Sequence, residues 1–169
     1  MLEENKNQLE NLMNSYETDL QGMMSKKQAE KAAQDEFAKE FDIVKQEIIW
    51  PVIVDVGNQL NQYGHDYHVS EQTEYLDATA VFHAGNITLN IYPAILPEAL
   101  HKPESTPYIS FVADRYAQKV GIMVSTMMPG QGGSVGSHGY YPISDITKDF
   151  VEKEMVDVLK NAFIFRKPS

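Results

Sequence analysis

Three short segments alternate apolar and other side chains with a period of two, and they constrain the fold more than any other part of the chain. Ile87, Leu89 and Ile91 alternate with polar residues, and the same spacing of apolar residues recurs over 109–113 and 120–124. Because successive side chains of a β-strand point to opposite faces, this pattern predicts three strands that each bury one face. We expect helices to cover that face of an antiparallel sheet, while the other face meets water or a partner.

The first 24 residues are predicted to form an amphipathic helix with a narrow apolar seam. About three heptad repeats place apolar side chains on one side, at Leu2, Leu9, Leu12, Met13, Tyr16, Leu20 and Met23. Such a helix either packs on its own domain or dimerises, since a polar helix with one narrow seam buries little by itself. Gly22 and Ser25 predict its end, because Ser25 and Gln28 have the spacing of a capping box. We therefore divide the chain into an N-terminal arm, 1–24, and a single α+β domain, 25–169.

A second helix is predicted from about residue 26 to residue 63, where apolar residues recur in steps of three and four. Pro51 lies inside this pattern and predicts a kink or a break, because proline lacks a backbone N–H and clashes with the preceding turn. Gly64 predicts the helix end. A last helix is predicted over 144–163, with its apolar residues again at helical spacing.

Strands are predicted over 65–71, 74–83 and 87–92, before a proline-containing crossover at 93–107 with a short helical turn at 98–101. Two further strands and the last helix follow the crossover. The order α-α-β-β-β-β-β-α predicts an α+β fold, with an antiparallel sheet of about five strands between helical regions.

A glycine-rich segment, M-M-P-G-Q-G-G-S-V-G-S-H-G over 127–139, follows a predicted strand and precedes the last predicted helix. Amides ahead of a helix can bind a phosphate or a carboxylate. The spacing matches neither a P-loop nor a Rossmann motif, and no Lys or Arg occurs between Lys119 and Lys148. We predict a mobile hairpin or lid, with a ligand-binding cradle over 129–139 as the alternative. The candidate ligand-binding residues are Gly130, Gly132, Gly133, Ser134, Gly136 and His138.

The composition makes several function classes improbable. A net charge of −10 disfavours nucleic acid and anionic membrane surfaces as partners. The chain contains no Cys, which excludes disulfides, a thiol nucleophile and a thiolate metal site. Its N-terminus is polar and acidic rather than signal-like, so we expect a cytoplasmic location.

Catalytic and metal-binding motifs are missing from the sequence as well. The histidines have no spacing typical of a metal centre; they are His65, His68, His83, His101 and His138. No G-x-S-x-G motif or other recognisable triad occurs, so we expect no metal, no cofactor and no enzyme activity. Tyrosines suit binding surfaces, because the ring is apolar and the hydroxyl polar. Six are expected to be half-buried, namely Tyr63, Tyr67, Tyr75, Tyr92, Tyr140 and Tyr141.

Over roughly residues 30–163, the predicted element order is similar to that of the class I type III secretion chaperones, as are the size and the acidity of the chain. That resemblance implies a small, dimeric, non-enzymatic protein that holds an unfolded segment of another protein. The sequence therefore favours a cytoplasmic homodimer that binds another protein as a chaperone or an adaptor. The alternative is a small-ligand-binding protein or an enzyme that uses residues 129–139 as a lid or an anion cradle.

Overall fold

We describe residues 1–94 and 106–164 of a computed structural model. They confirm the predicted α+β fold, in which a long helical region precedes a five-stranded antiparallel sheet and a C-terminal helix. The chain forms two compact units, residues 1–36 and 37–169. The division into 1–24 and 25–169 stays a prediction. The helical turn predicted over 98–101 lies outside the described residues.

The N-terminal helical region consists of α1 (Glu3–Val44), a π-helical turn (Lys45–Ile49) and α2 (Trp50–Gln62). The helix end predicted at Gly22 and Ser25 was wrong, because α1 runs through both. A single glycine weakens a helix by only about 1 kcal/mol, and the neighbouring Gln, Lys, Ala and Glu residues favour helix. The chain stays helical through Pro51, so the predicted kink or break takes the form of a π-turn directly before the proline, where the Trp50 N–H donates to the Lys45 carbonyl.

Five strands form the main sheet, and their neighbours in space follow the order β1-β4-β5-β6-β7 with every pair antiparallel. The chain first forms β1 (Asp66–Gln72), and then β2 (Tyr75–Leu76) and β3 (Phe82–His83), which make a separate hairpin. It continues with β4 (Asn86–Tyr92), β5 (Tyr108–Asp114), β6 (Lys119–Ser125) and β7 (Val135–Tyr141).

Two strand predictions need correction. The single strand predicted over 74–83 is a hairpin of two short strands, because the Asp77 carboxylate accepts hydrogen bonds from the Thr79 and Val81 amides and bends the chain. The second correction concerns β7, whose first five residues lie in the glycine-rich segment that the sequence predicts to be a mobile hairpin or lid. Its sequence, V-G-S-H-G-Y-Y, contains two glycines and no apolar alternation, so the strand depends on pairing with β6 rather than on its own pattern.

The core lies on one face of this sheet. The predicted alternation is confirmed, since the apolar residues of β4, β5 and β6 are buried: Ile87, Leu89, Ile91, Ile109, Phe111, Ala113, Val120, Ile122 and Val124. They share one apolar cluster with residues of the π-turn, α2 and the last helix, including Ile49, Ile53, Val151, Met155 and Val158. The opposite face of the sheet carries the intervening residues, which are mostly polar but include Val112 and Met123. Two depressions on this face are lined by strands, turns and the β2–β3 hairpin, with no helix residue among the described residues that line them.

The last helix, α3 (Lys148–Ala162), starts four residues later than predicted, after a 3₁₀ turn at Ile143–Asp145. Thr147 sets this start, because its hydroxyl accepts a hydrogen bond of 3.2 Å from the Phe150 amide. A side-chain acceptor at this position satisfies one of the four amides that a helix leaves without an internal partner.

Replacing Thr147 by Ala should lower the free energy of unfolding by about 1 kcal/mol, because the Phe150 amide loses its acceptor. Thr147→Ser keeps a hydroxyl in place and should unfold at the wild-type urea concentration. Circular dichroism during a urea titration measures both variants. An equal loss in both would show that the methyl group of Thr147, rather than the cap, stabilises the protein.

Candidate functional site

The glycine-rich segment folds into a tight hairpin turn between β6 and β7. The Thr126 amide donates to the Ser134 carbonyl at 2.8 Å, and the Met128 amide donates to the Gly132 carbonyl at 2.8 Å. The Ser134 amide in turn donates to the Thr126 hydroxyl at 3.1 Å. These amides are therefore engaged within the turn and do not point together at a ligand.

The six candidate ligand-binding residues do not form one cluster. Gly130, Gly132 and Gly133 lie in the turn and Ser134 lies at its base, whereas Gly136 and His138 lie on β7. There, His138 Nδ1 is 3.5 Å from Glu154 Oε2 of α3. The prediction that the glycine-rich segment directly precedes the last helix was wrong, because β7 and the 3₁₀ turn lie between the hairpin turn and α3. Ligand binding by residues 129–139 stays a prediction.

Substituting Gly133 by Ala should destabilise the hairpin turn whether or not a ligand binds there. Gly133 has a φ of +151°, and a Cβ at this position would overlap the Thr126 carbonyl. We expect a loss of about 1–3 kcal/mol in the free energy of unfolding. Gly136→Ala is the matched control, because a Cβ there meets open space. Urea titration of both variants measures their free energies of unfolding. Equal values for the two variants would contradict the expected overlap of a Cβ at position 133 with the Thr126 carbonyl.

A different candidate binding site lies on the opposite face of the sheet from the core, beside the β2–β3 hairpin. A cavity of about 260 Å³ opens there between the hairpin, the β5–β6 turn and β7. We call it the aromatic groove and define it by Phe82, Val112, Tyr116, Gly121, Met123 and Tyr140. Tyr140 pairs with Gly121 in the sheet, and its ring occupies the space that a side chain at Gly121 would need.

A buried ion pair holds the hairpin against the sheet. Arg115 Nη1 donates to Glu74 Oε1 at 2.6 Å, and the guanidinium carbon lies 4.0 Å from the centroid of the Phe82 ring. Only 5% of the Arg115 side chain is exposed. A buried guanidinium needs such a partner, because leaving it unpaired would cost several kcal/mol, about 3–5. The pair and the ring contact together fix one wall of the aromatic groove.

Asp77 organises the turn of the same hairpin. One carboxylate oxygen accepts from the Thr79 hydroxyl at 2.6 Å, and the other lies 2.8 Å from His83 Nε2. The His83 ring stacks on Tyr75 with centroids 4.5 Å apart. The hydrogen bonds from the Thr79 and His83 side chains, followed by that from the Val81 amide, hold the pKa of Asp77 well below its ordinary value.

The low pKa of Asp77 predicts that acid weakens the hairpin. In an unfolded chain Asp titrates near pH ~3.9, so the charged side chain stabilises the fold above about pH 4. That contribution is lost as the pH falls further, through the lower native pKa. Asp77→Asn removes the titration. The stability difference between wild type and Asp77→Asn should shrink as the pH falls below about pH 4. Urea titrations across this range measure it, and a difference independent of pH would rule out the Asp77 charge as the cause.

Large apolar side chains around the aromatic groove are open to solvent. Tyr116 is 69% exposed and Tyr140 is 56% exposed. Leu76, which pairs with Phe82 in the hairpin, is 54% exposed. Exposed apolar side chains that are grouped around a depression, as Tyr116 and Tyr140 are, are typical of interaction sites on soluble proteins. Of the six tyrosines expected to be half-buried, Tyr67, Tyr92 and Tyr141 are, whereas Tyr63, Tyr75 and Tyr140 are exposed.

Sequence reasoning identified Tyr140 but missed the other groove residues. Phe82, Tyr116 and Tyr140 are far apart in the sequence, and strand pairing alone brings them to one surface. No spacing rule links them. The one available signal was an Arg directly after a strand, at position 115, but a charged residue in a turn is ordinarily solvated.

The described residues contain no group of three or more His, Asp or Glu residues that could hold a metal ion. Within 1–94 and 106–164, no helix has the length and apolar character needed to cross a bilayer. Comparison with known proteins gives no further assignment, since no family model, curated protein or solved structure matches this chain.

Proposed function

We propose that this protein is a non-enzymatic, cytoplasmic homodimer that binds another protein, as a chaperone or an adaptor, through the aromatic groove. The observation that supports this function is the set of exposed rings around a fixed apolar depression. Tyrosine side chains that become buried near the centre of a protein interface carry much of its binding free energy.

The size of the groove favours a polypeptide over a small molecule. Its volume of about 260 Å³ lies below the ~300–1,000 Å³ of most small-molecule sites. The groove is open, and its lining is mostly apolar. One or two apolar side chains of a partner fit such a depression, while the rest of the partner lies on the surrounding surface.

The same face offers polar groups beyond the groove. Met123 borders both the aromatic groove and a second depression that is lined by hydroxyl and amide groups. There Thr88 Oγ1 and Ser110 Oγ are 2.7 Å apart, and Asn90 Nδ2 donates to Ser70 Oγ at 3.3 Å. Such side chains can exchange these bonds for hydrogen bonds to the backbone of an extended segment. We therefore propose an extended segment as the ligand.

The charge of the chain indicates which segments bind best. With a net charge of −10, the protein attracts basic partners and repels acidic ones at low ionic strength. A segment that alternates apolar and basic residues therefore matches both the groove and the overall charge. The resemblance in element order to class I type III secretion chaperones is consistent with this kind of ligand.

The direct test uses a fluorescein-labelled peptide in which Leu and Phe alternate with Lys, followed by fluorescence anisotropy. Tyr116→Ser and Tyr140→Ser should each weaken binding by about 10-fold or more, because each removes a ring from the rim of the groove. Tyr63→Ser is the matched control, since Tyr63 is 78% exposed but lies outside the groove.

Two further results would contradict the proposal. Equal losses in Tyr63→Ser and the groove variants would show that binding is not localised at the groove. Equal affinity for a peptide with Glu in place of Lys would remove the charge preference. Circular dichroism of each variant verifies that the fold is intact.

A further inference from the structure

Gly121 lies within β6 and lines the aromatic groove. Its backbone is not in the left-handed region that favours glycine, so the strand conformation itself permits a side chain at this position. Glycine inside a strand weakens it and often marks the close approach of another group. The group here is the Tyr140 ring, because a Cβ added at Gly121 would lie 2.9 Å from Tyr140 Cε1 and 3.2 Å from Cδ1. The glycine therefore makes room for this ring.

The Tyr140 ring in turn forms one wall of the groove. Val112, Gly121 and Tyr140 are cross-strand neighbours on β5, β6 and β7, so they form one row on the same face of the sheet. Met123 follows two residues along β6, on that same face. Because position 121 has no side chain, the row has a gap, and the Tyr140 ring leans over it. The position of this ring decides how large a side chain the groove accepts.

The lining of the groove favours an aromatic ring as the side chain that enters. A cavity of about 150 Å³ is enough to bind benzene, and the groove has a volume of about 260 Å³. Phe82, Tyr116 and Tyr140 contribute rings to the lining, and Met123 contributes a thioether. Contacts between two rings, or between a sulfur and a ring, stabilise beyond the burial of apolar area. An aliphatic side chain makes no ring pair of this kind.

The charged side chains that line the groove are engaged within the protein. Glu74 pairs with Arg115 at 2.6 Å, and one Asp114 oxygen accepts from the Tyr116 and Ala117 amides at 3.1 Å each. An uncharged side chain therefore suits the groove better than a cationic one, which would lose its water on entering. The basic residues of the proposed partner then lie outside the groove.

We propose that the aromatic groove takes one aromatic side chain of the partner, and that Gly121 determines this specificity by letting the Tyr140 ring lie against the sheet. This inference rests on the proposed function, because it names the side chain that the partner inserts. Tyr140 is 56% exposed, so its ring moves away from an added Cβ at little cost in stability. Gly121→Ala should therefore displace the ring while the sheet stays folded, which a urea titration verifies.

Three fluorescein-labelled peptides test the specificity by fluorescence anisotropy. Ser and Lys alternate in each peptide around one central residue, which is Phe, Leu or Ala. Wild type should bind the Phe peptide about 10-fold more tightly than the Ala peptide, with the Leu peptide between them. Gly121→Ala should reduce this preference to about twofold, because the displaced ring no longer bounds the groove. Gly136→Ala, where a Cβ meets open space, is the matched control and should keep the wild-type preference.

The variant Tyr140→Ser shows whether Gly121 acts through the ring. By itself it should lower the preference for Phe as much as Gly121→Ala does. Adding Gly121→Ala to it should change the preference no further, because the ring is already absent. The α-proton NMR resonances of Gly121 report the ring position without a ligand. They should differ between wild type and Tyr140→Ser, since the ring current of Tyr140 is lost.

The possible failures are distinguishable. An unchanged preference for Phe in both Gly121→Ala and Tyr140→Ser would overturn this inference and leave the proposed function intact. Equal Gly121 resonances in wild type and Tyr140→Ser would overturn the placement of the ring, and the inference with it. Wild type that binds none of the three peptides, although its Gly121 resonances show the ring in place, would overturn the proposed function and the specificity together.

Discussion

One-sided burial of the sheet is the constraint on which the rest of the structure depends. The apolar residues of β4, β5 and β6 all lie on the face that packs with the π-turn, α2 and α3. Burying a single large side chain such as Phe111 stabilises the fold by about 1.5–3 kcal/mol. A shift of one residue in any central strand would expose its whole apolar set, so the register is fixed.

The β2–β3 hairpin changes the opposite face of the sheet from a flat surface into a groove. Its position depends on Arg115, which follows β5 and contacts both Glu74 and the Phe82 ring. Asp77 rigidifies the turn of the hairpin through its hydrogen bonds to Thr79 and His83. Charged side chains thus give the groove a fixed wall, and the exposed rings of Tyr116 and Tyr140 border it. A preformed site of this kind loses little conformational entropy on binding.

The aromatic groove is concave and fixed by the sheet, and it suits apolar side chains of a different protein. The homodimer that we propose would present two grooves per assembly. Two grooves would raise the apparent affinity for any partner that offers two binding segments.

The sequence by itself determined the α+β class, the central strands and their buried face, because alternation with a period of two is a local property of the chain. It also indicated an irregular turn of the helix next to Pro51, since proline lacks a backbone donor. It could not place β7, whose residues V-G-S-H-G-Y-Y have no pattern of their own and depend on pairing with β6. For the same reason, the prediction from the sequence that the glycine-rich segment directly precedes the last helix was wrong. The groove was decided by the tertiary structure alone, because only the strand order brings Phe82, Tyr116 and Tyr140 to one surface.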